Sequence, residues 1–172
     1  TVGALTMNSG ASTVNVQRNG FGTSSQLTFA SVTRNVGSTV DFTNAAGGGT
    51  LGSAGSNPRV IFTTNPTLTS NVLGYATVNG TAFAGYNATN GILAVAGTDT
   101  AQTSWTTSIN ATNTADQTLT AARTVGSLSL GSGIDVNAGG NTLTINSGGL
   151  LKTGATTSIV SNGTVTAGTT VD

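Results

Sequence analysis

Turn-forming residues interrupt this chain about every ten positions, and the segments between them are too short and too rich in β-branched residues to be helices. An apolar i, i+3, i+4 pattern is nowhere sustained, and good helix formers other than Ala and Leu are scarce. The best helical stretch, 110–123, is rich in Thr and Asn and is read as extended. Alternating segments predict strands at 2–7, 12–16, 26–33, 39–43 and 59–63. After a different central stretch they resume at 92–96, 103–109, 118–130, 134–136, 142–145, 149–151, 158–160 and 164–166.

These segments resemble one another. Val2-Gly-Ala-Leu-Thr-Met7 is echoed by Val125-Gly-Ser-Leu-Ser-Leu130, and Thr142-Leu-Thr-Ile145 by Thr164-Val-Thr166. Leu128, Leu143 and Val165 mark apolar centres of these echoes at uneven intervals. A loose repeat of about 20 residues, made of short strands and Gly/Asn turns, is the signature of a solenoid, in which a coil buries its apolar side only by stacking on its neighbours. The expected fold is therefore all-β, a parallel β-helix (β-solenoid) running through 1–172 as one region. The stretch 47–91 holds both prolines and both tyrosines, and Pro disfavours central strands. It is expected as an insertion or lateral loop.

Composition removes whole classes of function. The chain has five basic residues, five acidic ones and no His or Cys; all five acids are Asp. General acid–base and nucleophilic catalysis need titratable groups held together, and few are present to converge. No enzyme activity and no cofactor are expected. Arg18, Arg34, Arg59, Arg123 and Lys152 are dispersed and give no basic patch for nucleic acid. No apolar run approaches the roughly 20 residues of a membrane helix. A Thr-rich, Lys-poor, Glu-free chain fits an extracellular or bacterial cell-surface protein.

Several runs carry a family resemblance: Leu5-Thr-Met-Asn-Ser-Gly-Ala-Ser-Thr-Val-Asn-Val16, Gln26-Leu-Thr-Phe-Ala-Ser-Val-Thr-Arg34, Gly37-Ser-Thr-Val-Asp-Phe42, Arg59-Val-Ile-Phe-Thr-Thr64, Tyr75-Ala-Thr-Val-Asn-Gly80 and Ile145-Asn-Ser-Gly-Gly-Leu-Leu151. Together they resemble the large secreted proteins with autotransporter-associated β-strand repeats. The resemblance implies a right-handed parallel β-helix, exported, within a long surface or extracellular polypeptide: a passenger, stalk or filament-forming segment.

Competing readings rest on particular residues. Tyr75, Phe83, Tyr86 and Trp105 could form a glycan-stacking platform, which would make the chain a carbohydrate- or surface-binding adhesin module; aromatics under loops are more often core. Asp116 and Asp135, with Arg123, are the one pair spaced to stack on adjacent coils as a polysaccharide-degrading site would require. Gly133-Ile-Asp-Val-Asn-Ala-Gly-Gly140 faintly resembles a calcium-binding repeat. Thr118-Leu-Thr120, Thr142-Leu-Thr144 and Thr164-Val-Thr166 could line a water-ordering, ice-binding face. The chain opens at Thr1 without a Met, and neither 1–2 nor 171–172 offers a cap, so continuation into further coils or end-to-end self-association is expected.

Overall fold

The computed structural model describes residues 1–18, 20, 22–44 and 48–168. Among them lie eighteen strands and a single three-residue 3-10 turn, Gln102–Ser104, so the protein is all-β. No helix among the described residues is long and apolar enough to cross a membrane. The strands fall into two compact units, one of Thr1–Leu68 with Tyr75–Val95, the other of Thr69–Gly74 with the described residues 96–168.

In the first unit, β1 (Leu5–Met7), β2 (Ala11–Asn15) and β3 (Ser25–Phe29) are followed by β4 (Val32–Arg34), β5 (Thr39–Thr43) and β6 (Pro58–Phe62). Each strand of the first triplet pairs in parallel with its counterpart in the second, β1 with β4, β2 with β5 and β3 with β6. Leu5 faces Val32 and Ser25 faces Pro58, so the chain takes a longer path between partners here than the sequence repeat suggests. The period-two alternation of a strand puts like residues on like faces. Leu27 therefore stacks on Val60, Phe29 on Phe62 and Val14 on Phe42. Phe29 and Phe62 lie 5.6 Å apart, nearly parallel, and Phe42 meets Phe62 edge-on at 6.5 Å.

The stretch 47–91, expected as a lateral insertion, supplies β6 together with β7 (Leu73–Val78), β8 (Ala82–Asn87) and the start of β9 (Gly91–Ala94). β7 pairs in parallel with β5 through Val40↔Ala76 and Phe42↔Val78, and the sheet runs β2-β5-β7-β8-β9. Asn79 and Gly80 join β7 to β8 with φ of 52° and 62°, and the Thr81 N–H donates to the Val78 carbonyl at 3.2 Å. Two left-handed residues make the primed hairpin turn whose twist suits flanking strands, which is why Asn-Gly stands there. β8 returns antiparallel to β9. At its start Gly91 (φ 78°) lies so close to β6 that a Cβ would sit 2.0 Å from the Val60 carbonyl oxygen.

The second unit is more regular. It contains β10 (Asn110–Asn113), β11 (Gln117–Thr118), β12 (Arg123–Val125), β13 (Ser127–Leu130), β14 (Val136–Asn137), β15 (Thr142–Ile145), β16 (Leu150–Lys152), β17 (Val160–Ser161) and β18 (Thr164–Ala167). Every third strand pairs: the sheets run β10-β13-β16, β11-β14-β17 and β12-β15-β18, all parallel. Asn110 faces Ser127 and Val136 faces Val160, so the spacing of partners brackets the repeat of about 20 residues read from the sequence. The core is Leu119, Val125, Leu128, Leu130, Val136, Leu143 and Ile145, with Trp105 among them.

Three expected strands differ. The segment 118–130 is not one strand but parts of β11, β12 and β13, broken at 119–122 and at Gly126. The segment 26–33 divides into β3 and β4. At 103–109 there is no strand: the 3-10 turn and the burial of Trp105 take the chain out of the ladders.

Candidate functional site

Along β5, Val40 and Phe42 point into the core, so Thr39, Asp41 and Thr43 occupy the opposite face. Thr13 of β2 and Thr77 of β7 flank Asp41 in register. The Thr77 hydroxyl donates to Asp41 Oδ1 at 2.7 Å, and the Gly80 N–H donates to the same oxygen at 2.8 Å, so the carboxylate clamps the Asn79–Gly80 turn. Beside it the two amides are locked together. The Asn44 N–H donates to Asn79 Oδ1 at 3.2 Å, Asn79 Nδ2 to Asn44 Oδ1 at 3.0 Å, and Asn44 Nδ2 to the Gly49 carbonyl at 2.8 Å. Asp41, Thr43, Asn44, Gly48, Gly49 and Asn79 border an open cleft of about 440 Å³. Arg18 braces its glycine wall, donating from Nε to the Gly48 carbonyl at 3.1 Å and from a terminal nitrogen to the Ser56 carbonyl at 2.7 Å.

The aromatic residues singled out from the sequence are placed elsewhere. In the first unit Phe83 is only 6% exposed. Tyr86 lies 5.9 Å from Phe62, and its hydroxyl both accepts from the Phe62 N–H (3.0 Å) and donates to the Phe62 carbonyl (2.8 Å). Tyr86 thus occupies a backbone edge of β6 in place of a paired strand. Tyr75 is half-buried with the Arg34 guanidinium 4.9 Å from its ring centroid. Burial raises the Tyr75 phenol above its ordinary pKa, and the Arg34 charge pulls it partly back. In the second unit Trp105 is 5% exposed and donates its indole N–H to the Thr100 carbonyl at 3.1 Å. Phe83 and Trp105 present no open ring face for a sugar.

The carboxylates of the second unit form a ladder along one edge. Asp116 Oδ1 accepts the Asp135 N–H at 2.9 Å, and Asp135 Oδ1 accepts the Ile159 N–H at 2.7 Å. Asp99 likewise accepts from the Thr114 N–H and hydroxyl. Each carboxylate holds the backbone of a later strand connection. Arg123 turns instead to Gln102, donating to Oε1 at 2.7 Å. Asp172 lies outside the described residues. Among the described residues no three of His, Cys, Asp or Glu converge as a metal site would require.

Two of the three Thr-x-Thr pairs meet: Thr142 aligns with Thr164 and Thr144 with Thr166, and Thr124 extends the second file. Thr118 belongs to another sheet, opposite Asn137. Comparisons of the chain with family models, curated proteins and solved structures find no match. The cleft at Asp41 was missed in the sequence, although Asn79-Gly80 between two alternating segments is the strongest short hairpin signal and would have placed its rim.

Proposed function

We propose that this chain is a structural segment of an extracellular or cell-surface polypeptide, a right-handed parallel β-helix with no reaction of its own. The observation that carries the reading is the pairing of every third strand in parallel, with apolar residues facing one another at positions in each of two sheets. Val125 faces Ile145 and Leu128 faces Leu150, so apolar side chains follow one another along the pairing direction. Such a body lengthens by adding coils and serves as a stalk or passenger. Asp116 and Asp135, the pair spaced to stack, each hold a backbone N–H of a later strand connection, a role that fits a scaffold.

Further coils, from continuing chain or from other copies, stack on the last triplet in this reading. Leu150 and Val165 are 48% and 43% exposed, while Leu128 and Leu143, one strand back in the same ladders, are fully buried. Two experiments test the proposal. Adjacent coils put in-register Cα atoms about 4.8 Å apart, within disulfide reach. Thr144→Cys with Thr166→Cys, in a chain without other cysteines, should close a disulfide and keep the far-ultraviolet circular dichroism; failure to close removes the coil architecture. An antibody against the chain should label intact source cells or their medium, and labelling confined to lysed cells overturns the surface role.

A further inference from the structure

We propose that the cleft bordered by Asp41, Thr43, Asn44, Gly48, Gly49 and Asn79 binds a neutral saccharide through its hydroxyl groups. The hydrogen-bonding inventory carries the inference. Asp41 Oδ1 is fixed by Thr77 and Gly80, which sets the carboxylate plane and leaves Oδ2 with no partner among the described residues. An ionised carboxylate has about four acceptor positions, so capacity remains on both oxygens. Asn44 and Asn79 each commit one amide hydrogen to the lock between them or to Gly49, and each keeps a second. The Thr43 hydroxyl has no partner among the described residues and is half-buried. One strong acceptor and two spare amide donors on side chains already held in place, with the Thr43 hydroxyl beside them, match a ligand whose groups each donate and accept. Vicinal hydroxyls of a sugar do so, and preorganised partners lower the ordering cost of binding.

The same inventory argues against other ligands. An anion meets the Asp41 charge. A divalent cation wants several oxygen ligands, but the cleft offers a single carboxylate, and its Gly48 and Gly49 carbonyls already accept from Arg18 and Asn44. The sugar site also differs from the aromatic platform read in the sequence, since Phe83 and Trp105 take no part. Tyr75 lies on the same side of β7 as Thr77, two residues back, on the path a longer oligosaccharide would follow.

The test is a nuclear magnetic resonance titration of the isotope-labelled chain with cellohexaose, maltohexaose, mannohexaose, xylohexaose and chitohexaose, and separately with calcium chloride. The expected result is a saturable shift with at least one sugar, confined to the amides of Asp41, Thr43, Asn44, Gly48, Gly49 and Gly80. Asp41→Asn keeps an oxygen for the turn but loses the charged acceptor, so affinity should fall at least about tenfold. Thr43→Val, at a half-buried position whose hydroxyl has no bond to break among the described residues, keeps the experiment decisive if Asp41→Asn does not fold, and should weaken the same shifts. Silence with all five sugars, unchanged affinity in the folded variants, or shifts reproduced by calcium alone overturns the proposal. The Thr144–Thr166 cross-link is unaffected by any of these outcomes, so failure here is separable from failure of the β-helix reading.

Discussion

Replacing Tyr86 by Phe asks whether this side chain is a surface ligand or a piece of the fold. The ring stays, so its 5.9 Å contact with Phe62 and the apolar area it covers are retained. What disappears is one oxygen serving two backbone groups of Phe62, a residue only 2% exposed. A buried N–H or C=O left without a partner costs about 1–3 kcal/mol, so two such groups set a ceiling of about 6 kcal/mol. Tyr86 is itself half-buried, and a water reaching one of the vacated groups recovers part of the loss. The expected destabilisation is therefore about 2–4 kcal/mol. Urea unfolding followed by far-ultraviolet circular dichroism measures it as a fall in midpoint at unchanged slope. Tyr75→Phe is the internal control: its hydroxyl has no partner among the described residues, and the change should stay within about 0.5 kcal/mol. A Tyr86→Phe loss no larger than that control refutes the assignment of Tyr86 to the β6 edge.

Trp105→Ala should cost about 3–5 kcal/mol, the range for truncating a large buried aromatic, and its loss by urea unfolding without any loss of sugar binding separates core from ligand site. Asp135→Ala frees the Ile159 N–H at a partly exposed position and should cost about 1 kcal/mol, whereas Asp135→Asn keeps an acceptor and should be nearly neutral; the two urea midpoints, followed by fluorescence of the single Trp, decide it. Tyr75 should ionise above the ordinary 10.0, because the fold disfavours its charged form. Its contribution to stability is complete below 10.0 and is lost as pH rises through the higher folded value; alkaline titration of tyrosinate absorbance, assigned with Tyr75→Phe, checks the order, and titration at or below 10.0 contradicts it.

The sequence alone determined the class of structure. Alternation of β-branched and small residues between Gly/Asn turns has a period of two, and that period admits strands and excludes helices. Of the apolar centres Leu128, Leu143 and Val165, only Leu143 and Val165 face each other in one parallel pair, while Leu128 lies in another sheet. Tertiary structure decided what each polar residue does. Asp116 and Asp135 are the one pair spaced to stack in sequence because coil-length spacing is all a sequence shows; only the paired backbones reveal that one oxygen of each holds a backbone N–H. Tyr75, Phe83, Tyr86 and Trp105 left core and platform both open, core the commoner, because an aromatic side chain serves a core and a sugar equally well, and the choice depends on what surrounds it. The cleft at Asp41 joins β5 to the distant Asn79–Gly80 turn through hydrogen bonds that exist only once β7 has paired with β5. Local propensity acts over a few neighbouring residues and so fixes the elements, whereas a site built from distant ones is specified by register.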